Sequence, residues 1–424
     1  MSELVVILHD AVAGVLVRST GGRLRFEYEA AYRALPDATP LSRGMPLTVP
    51  VHGDGAITPW LWGLLPENDA VLARWGRQFQ VSASAPFSLL GTPIGEDCAG
   101  AVRFCQPADV DRLLARPGSV AWLDERAVEE RIRDLREDAT TWLGRNFTGQ
   151  FSLAGAQAKT ALYSDGDRWG VPSGATPTTH ILKPAVRGFD DHELNEHICL
   201  DAARRVGLRV VRTRVERFGA ESVIVVARYD RIAGPSGIVR VHQEDTCQAL
   251  GVLPQRKYQN EGGPGAAEII SLLRRELPAQ AAAVAVDRFV DALIWNWVIA
   301  GTDAHAKNYS LLLAGREVRL APLYDIASAL PYGIHERKLR MAMKVGRDYD
   351  VAVLRERWTT AAAQWGLEPA RLRARVLELA AGAADAFADA AADPAIAGLG
   401  RPGPGRLVDA VAERAARCAA SLNE

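Results

Sequence analysis

The chain has 424 residues, of which 48% are hydrophobic and 24% charged, and its 50 basic and 51 acidic residues give a formal net charge of −1. This composition excludes a disordered chain, and the charge balance argues against a protein that binds nucleic acid over its whole surface. At roughly 150 residues per domain, the length predicts about three compact units.

The cysteines and the apolar runs indicate the compartment. Five cysteines lie far apart with no C-x-x-C pair, namely Cys98, Cys105, Cys199, Cys247 and Cys418. We therefore expect reduced thiols in a cytoplasmic protein, without a disulfide frame or a zinc site. The start of the chain predicts no signal peptide, and no stretch approaches the roughly 20 apolar residues of a membrane span, so we expect no membrane partner.

The first part of the chain predicts a small strand-rich subdomain. Short β-like runs at residues 5–8, 14–17 and 24–28 alternate with Pro and Gly turns. We place this N-terminal subdomain at residues 1–110. The segment that follows is rich in charged residues in a helical pattern, and it predicts a helical connector at residues 111–150.

The rest of the chain predicts an α+β fold in two parts. Within residues 151–230, a glycine-containing loop precedes a strand that ends at Lys183, a helix whose apolar residues recur every four positions, and a buried strand. Residues 231–424 are mainly helical, and the clearest helix spans residues 287–300. We therefore predict a mixed lobe followed by a helical lobe.

The strongest chemical signal follows that helix. Asp303 is separated from Asn308 by four residues, and a predicted hairpin leads on to Asp325. This is the order of the catalytic and metal-binding loops of protein kinases, in which one carboxylate accepts the proton of a hydroxyl while an Asn and an Asp hold Mg²⁺. Each residue alone would more often cap or turn the chain, but together they favour phosphoryl transfer from ATP.

Upstream residues complete this pattern. Lys183 occupies the place of the kinase lysine that contacts the ATP phosphates, and either Glu193 or Glu196 on the next helix could orient it. A G-x-G-x-x-G loop is absent from the sequence. The small residues at 154–158 could instead let backbone N–H groups approach phosphate oxygens.

These motifs resemble those of the HipA family, the serine/threonine kinase toxins of bacterial toxin–antitoxin pairs. The matching segments are residues 64–68, 97–102, 151–157, 179–183, 228–231, 243–251, 257–265, 303–308 and 321–325. The resemblance implies a two-lobed protein-kinase-like fold, with a mixed N-lobe at 151–230 and a mainly helical C-lobe at 231–424. The extra N-terminal subdomain precedes both lobes in the chain.

The resemblance also implies roles for individual residues. Asp303 would be the general base, and Asn308 and Asp325 would be the Mg²⁺ ligands. The ATP site would comprise Ala154, Gly155, Ala156, Gln157, Ala158, Lys159, Lys183, Ala227, Arg228, Tyr229, Gln243, His305, Ala306, Lys307, Asn308, Tyr324 and Asp325. The chain departs from the family at Ala227, where Glu is frequent, and at Ala158, where an acidic residue is common.

Regulation and partners follow from the same resemblance. It implies autophosphorylation at Ser152, which would add a charge of about −1.5 to −2 beside the ATP phosphates and inactivate the enzyme. The protein substrate would be an aminoacyl-tRNA synthetase such as glutamyl-tRNA synthetase, with blocked translation and growth arrest or persistence as the consequence. The partners would be a helix-turn-helix antitoxin (HipB-like) and, through it, operator DNA, on which the chain would act as a corepressor.

Two other functions remain open at this point. A small-molecule phosphotransferase would use the same Asp303, Asn308 and Asp325. A weakly catalytic corepressor module would act chiefly by bridging antitoxin dimers on DNA.

Overall fold

The computed structural model describes residues 2–115, 118–234, 237–351 and 355–423. Among these residues, no helix combines the length and apolar character needed to cross a membrane. The five cysteines are free and buried.

The N-terminal subdomain is a five-stranded sheet covered by short helices. Its strands are β1 (Ser2–Leu8), β2 (Ala11–Arg18), β3 (Leu24–Tyr28), β4 (Val51–Gly53) and β5 (Val102–Cys105), in the order β4-β3-β2-β1-β5. Its helices are α1 (Ala30–Arg33), α2 (Asp54–Gly63), α3 (Asp69–Phe79), α4 (Pro86–Leu90) and α5 (Val110–Ala115). The Asn68 side chain caps α3 by accepting hydrogen bonds from two backbone N–H groups, which fixes where this helix begins.

A six-stranded sheet forms the N-lobe. It contains β6 (Ser119–Leu123), β7 (Thr160–Ser164), β8 (Trp169–Ser173), β9 (His180–Pro184), β10 (Thr213–Phe218) and β11 (Glu221–Ala227), in the order β10-β11-β9-β7-β8-β6. Its helices are α6 (Glu125–Glu137) and α7 (His192–Arg205). The segment expected as a connector thus contributes β6 to the sheet, and Val128 and Ile132 of α6 pack against its apolar face.

The C-lobe is mainly helical. It begins with the hairpin of β12 (Arg231–Gly234) and β13 (Gly237–Arg240), and its other strands are β14 (His242–Asp245), β15 (Ser310–Ala314), β16 (Glu317–Leu320), β17 (Arg340–Val345) and β18 (Asp348–Asp350). Its helices are α8 (Thr246–Ala249), α9 (Ala266–Glu276), α10 (Ala279–Val298), α11 (Arg355–Trp365), α12 (Pro369–Ala391), α13 (Pro394–Ala397) and α14 (Gly403–Asn423). The predicted helix at 287–300 is the second half of α10, whose Trp295 and Trp297 are fully buried.

Buried ion pairs join the N-terminal subdomain to the start of the C-lobe. The Asp97 carboxylate accepts hydrogen bonds from Arg231 at 3.0 Å and from the Thr178 hydroxyl at 2.7 Å, and Arg228 lies 3.5 Å away. The carboxylate of Asp230 in turn accepts a hydrogen bond from the backbone N–H of Gly100 at 2.7 Å. Removing one partner of such a pair strands a buried charge, so these contacts hold the subdomain in a defined position.

Candidate active site

Lys183 stands at the centre of the site. It lies near the end of β9, and its Nζ donates hydrogen bonds to Glu196 Oε1 at 2.7 Å and to Asp325 Oδ1 at 2.8 Å. Burial alone would lower the pKa of Lys183, but the two carboxylates outweigh it and raise the pKa, so the ammonium stays charged. The structure also resolves the choice on α7, because Glu193 pairs with Arg401 at 2.6 Å instead.

Asp325 is the second carboxylate that Lys183 contacts. Its φ of 59° is in the left-handed region, which a non-glycine residue occupies only when its surroundings hold it there. Burial would raise the pKa of this carboxyl, but Lys183 and Lys159 hold it well below the ordinary value. Asp325 is therefore an anion beside two cationic side chains.

Asp303 follows the end of α10 and is 67% exposed at its side chain. Its Oδ1 accepts a hydrogen bond from the Tyr258 hydroxyl at 2.5 Å, and its Oδ2 lies 4.0 Å from His305 Nε2. The carboxylate is therefore held on one oxygen and open to the solvent side on the other. This is the arrangement that a base accepting a proton from an incoming hydroxyl requires.

His305 lies beside this carboxylate but is suited to a different task. Its ring meets that of Tyr258 edge to face, with 5.1 Å between centroids. Burial lowers the pKa of His305 despite the opposing effect of Asp303, so the imidazole is neutral near pH 7. Its Nδ1 is buried without a hydrogen-bond partner among the described residues, which leaves it free for a ligand.

Asn308 and Asp325 form a donor set suited to Mg²⁺. Asn308 Nδ2 donates to the backbone oxygen of Asp303 at 2.8 Å, which leaves its side-chain oxygen as an acceptor. One amide oxygen and one carboxylate, completed by phosphate oxygens and water, match the preference of Mg²⁺ for hard oxygen ligands. Among the described residues, no group of three or more His, Cys, Asp or Glu side chains could hold a metal ion.

A pair of stacked rings lies close to the end of β11. Tyr229 stacks on Tyr324 with 5.7 Å between ring centroids, and its hydroxyl donates a hydrogen bond to Gln243 Oε1. The backbone N–H groups of Ala227 and Arg228 already donate to carbonyls of the chain. The Arg228 guanidinium is bound in the Asp97 and Asp230 network, so any contact of this residue with a nucleotide would come from its backbone.

The loop at 154–159 wraps around a buried ammonium. Lys159 Nζ donates to the backbone oxygen of Ala154 at 2.7 Å and lies 4.8 Å above the Trp142 ring. Gly155 adopts a φ of +101°, and a Cβ there would lie 2.6 Å from Lys159 Nζ, so glycine is required. Burial and the nearby Lys183 lower the pKa of Lys159 to about 8.

One cavity of about 570 Å³ collects these groups. The predicted ATP-site residues line it with two exceptions, since Ala158 and Ala306 do not reach it. Lys307 lines the cavity, but its ammonium is already paired with Asp245 at 2.5 Å. Any contact between the Lys307 ammonium and a ligand would therefore compete with its ion pair to Asp245.

Several lining residues were missed by reasoning from the sequence. Gly63, Glu67 and Ala99 come from the N-terminal subdomain, and Lys257 of the C-lobe pairs with Glu67 at 2.7 Å. Burial would raise the pKa of Glu67, but Lys307 and Lys257 lower it, so the carboxylate is charged. Residues 64–68 and 257–265 were noted only as motifs, and nothing in their spacing indicated that they meet.

Ser152 lies outside the cavity and is fully buried. Its hydroxyl donates a hydrogen bond to the backbone oxygen of Leu64 at 2.7 Å, and its backbone N–H donates to the backbone oxygen of Asp97 at 2.9 Å. The residue that starts the loop is thus covered by the N-terminal subdomain.

Comparisons with known proteins show the family of this chain. Residues 151–387 match the family model described as HipA-like C-terminal domain, and residues 4–105 match the HipA N-terminal domain. The chain belongs to the HipA family. Y4mE of Sinorhizobium fredii, which its name provisionally calls a kinase, is 32% identical over 95% of both chains.

A sequence comparison supports the family, and a structural comparison supports the fold. The serine/threonine-protein kinase toxin HipA of Shewanella oneidensis is 32% identical, over 71% of this chain and 70% of that one. A solved structure of Shewanella oneidensis HipA with HipB and operator DNA matches with a TM-score of 0.84 and 24% identity, over 99% of this chain and 98% of the other. The predicted α+β, two-lobed kinase-like fold with an extra N-terminal subdomain is confirmed.

Proposed function

We propose that this HipA-family chain is an ATP-dependent protein serine/threonine kinase that acts as a toxin. The proposal is carried by one observation, the convergence of Lys183, Asp303, Asn308 and Asp325 on a single cavity. These four groups, one from β9 and three from the segment at 303–325, meet the needs of phosphoryl transfer, which are positioning and charge neutralisation. The kinase and toxin names of its relatives support the same activity.

In this proposal each group has a separate task. Lys183, held by Glu196, binds the ATP phosphates, and the N–H groups of residues 154–157 approach them from the loop. Asn308 and Asp325 would hold Mg²⁺, which when bound neutralises charge on the β- and γ-phosphates. Asp303 orients a seryl or threonyl hydroxyl and accepts its proton as the oxygen bonds to the γ-phosphorus, while the bond between the γ-phosphorus and the bridging oxygen breaks and ADP leaves.

The substrate and the partners are proposed from the family. We infer an aminoacyl-tRNA synthetase such as glutamyl-tRNA synthetase as acceptor, with blocked translation and growth arrest or persistence as the result, in the cytoplasm. The Shewanella oneidensis complex contains HipB and operator DNA. By analogy, this chain would bind a helix-turn-helix antitoxin and act with it as a corepressor.

Autophosphorylation at Ser152 would need a rearrangement. The hydroxyl is buried against Leu64, so a phosphate there has no space while the segment stays in place. A charge of about −1.5 to −2 would also be buried without a cation among the groups that contact the hydroxyl. The modified loop would therefore have to leave the cavity, which removes the phosphate-binding N–H groups and inactivates the enzyme.

The decisive experiment measures phosphoprotein formation by the native chain and by Asp303→Asn and Asp325→Asn. We expect both variants to lose transfer and to lose growth inhibition when expressed without a partner. Equal growth inhibition by all three proteins would refute the kinase toxin. Turnover of a small alcohol without phosphoprotein would favour a small-molecule kinase, and operator binding with the antitoxin that survives Asp303→Asn would identify a corepressor role independent of catalysis.

A phosphopeptide map after incubation with ATP tests the switch. The proposal predicts phosphate on Ser152 together with a fall in activity. An unmodified Ser152, in a preparation that phosphorylates an external protein, would reject it.

A further inference from the structure

A second cavity of about 590 Å³ opens between the N-terminal subdomain and the C-lobe. One wall comes from the end of α2 and from α3, and the other comes from residues 254–261 of the C-lobe. Its lining residues are Trp62, Pro66, Glu67, Asp69, Leu72, Ala83, Ser84, Ala156, Pro254, Gln255, Lys257, Tyr258 and Glu261. The predicted ATP site and the contacts of the N-terminal subdomain described above give this cavity no role.

This cavity adjoins the proposed catalytic site. Glu67, Ala156 and Lys257 line both cavities, so the two share a wall that includes the loop at 154–159. Tyr258 lines the second cavity, and its hydroxyl donates to Asp303 Oδ1 at 2.5 Å. A chain lying in the second cavity would therefore pass beside the base and the γ-phosphate end of the nucleotide site.

The lining combines an apolar floor with an acidic rim. Leu72 and Pro254 are buried, and Trp62 is partly exposed beside them. Three carboxylates face one ammonium in the lining, and Lys257 is already paired with Glu67 at 2.7 Å. Asp69 and Glu261 are exposed, and no ion pair engages either of them within the described part of the chain.

We propose that this second cavity binds the protein acceptor, as an extended segment with Lys or Arg close to the phosphorylated serine and an apolar side chain on the floor. The inference rests on the proposed kinase function and adds the class of acceptor to it. Charge complementarity selects the occupant, because Asp69 and Glu261 attract cations and repel acidic segments. A small alcohol as the acceptor would need only space beside ATP in the first cavity. It would not need the second cavity.

The test uses the full chain and short synthetic peptides. A probe peptide carries a single serine flanked by Lys, Arg and Leu, and a control peptide has Gln in place of each basic residue. Fluorescence anisotropy measures peptide binding to the Asp303→Asn protein with ATP present, and a radiolabel assay measures transfer by the native chain. The test variant is Asp69→Asn with Glu261→Gln, and the matched control is Glu356→Gln with Asp409→Asn, two exposed carboxylates on the C-terminal helices.

The Asp303→Asn protein should bind the basic peptide about fivefold more tightly than the Gln peptide, and added salt should narrow this difference in affinity. The Asp69/Glu261 double variant should abolish this preference while its thermal midpoint and its KM for ATP stay unchanged, and the control variant should keep it. Equal binding of both peptides, or a preference that survives the double variant, would overturn the inference. Selective binding without phosphoryl transfer by the native chain would refute the kinase function and leave the docking site intact.

Discussion

Glu193 and Glu196 allow a sharp test of the site, because they lie three residues apart on one helix and both are buried. Only Glu196 contacts Lys183, at 2.7 Å, whereas Glu193 pairs with Arg401 at 2.6 Å and accepts from the Ser222 hydroxyl. Glu196→Gln should therefore impair the use of ATP. Glu193→Gln, which has the same size and a similar burial, should not.

The size of the effect follows from the contact between Lys183 Nζ and Glu196 Oε1. At 2.7 Å, their gross Coulomb attraction is about 6 kcal/mol for an effective dielectric constant of about 20. Desolvation offsets most of this, and a hydrogen bond to a charged group contributes a net of roughly 1.5–3 kcal/mol. Gln keeps the shape but loses the charge, so Lys183 would be held by Asp325 alone, and kcat/KM for ATP should fall about 10- to 100-fold.

Steady-state transfer to a protein acceptor at varied ATP concentration gives kcat and KM for each variant, and thermal unfolding reports their stability. Each change removes the charge of a buried pair, so the two midpoints should fall by similar amounts. The reasoning is refuted if Glu193→Gln reduces kcat/KM for ATP as much as Glu196→Gln does. Loss of any buried charge, rather than the orientation of Lys183, would then set the rate.

Three more outcomes follow from the contacts. Tyr258→Phe removes the hydroxyl bound to Asp303 and should lower kcat about three- to tenfold at constant KM for ATP; a rise in KM alone would contradict this. Burial and Lys183 lower the pKa of Lys159 to about 8, so its charge is present below that pH and lost above it. KM for ATP should rise between about pH 7 and pH 9, and Lys159→Met should bind ATP weakly with a flatter pH profile. Asp97→Asn leaves Arg231 with Asp230 alone and removes the carboxylate that pairs with Arg240 at 3.3 Å. It should lower the free energy of unfolding by about 3–5 kcal/mol, as measured by urea denaturation, whereas a loss below about 1 kcal/mol would show that these ion pairs are dispensable.

The sequence allowed the candidate catalytic residues to be predicted as a group because they lie close together in the chain. Asp303, Asn308 and Asp325 are joined by a short turn and by the β15–β16 hairpin, and a hairpin returns the chain to where it started. Lys183 was recognisable because an apolar strand leads into it. Glu193 and Glu196 could not be separated in this way, since residues three apart on a helix share a face and only the position of α7 decides which of them reaches the lysine.

Other features depend on contacts that are distant in the chain. Glu67 and Lys257 form an ion pair between two separate units, and no local spacing indicates that these motifs meet. Residues 111–150 looked like a connector because α6 is highly charged. Strand β6 has no clear alternation of buried and exposed residues, and it is a strand because its register pairs it with β8 at the edge of the sheet.

The N-terminal subdomain holds the loop at 154–159, and Ser152 just before it, at several points. Ser152 bonds to the backbone oxygens of Leu64 and Asp97, and the backbone N–H of Glu67 donates to Gly155 at 3.0 Å. A loop that left the cavity would break all of these contacts together. It would also remove Ala156 from the wall shared by the two cavities, so a phosphate on Ser152 would disturb the ATP site and the proposed acceptor site in one step.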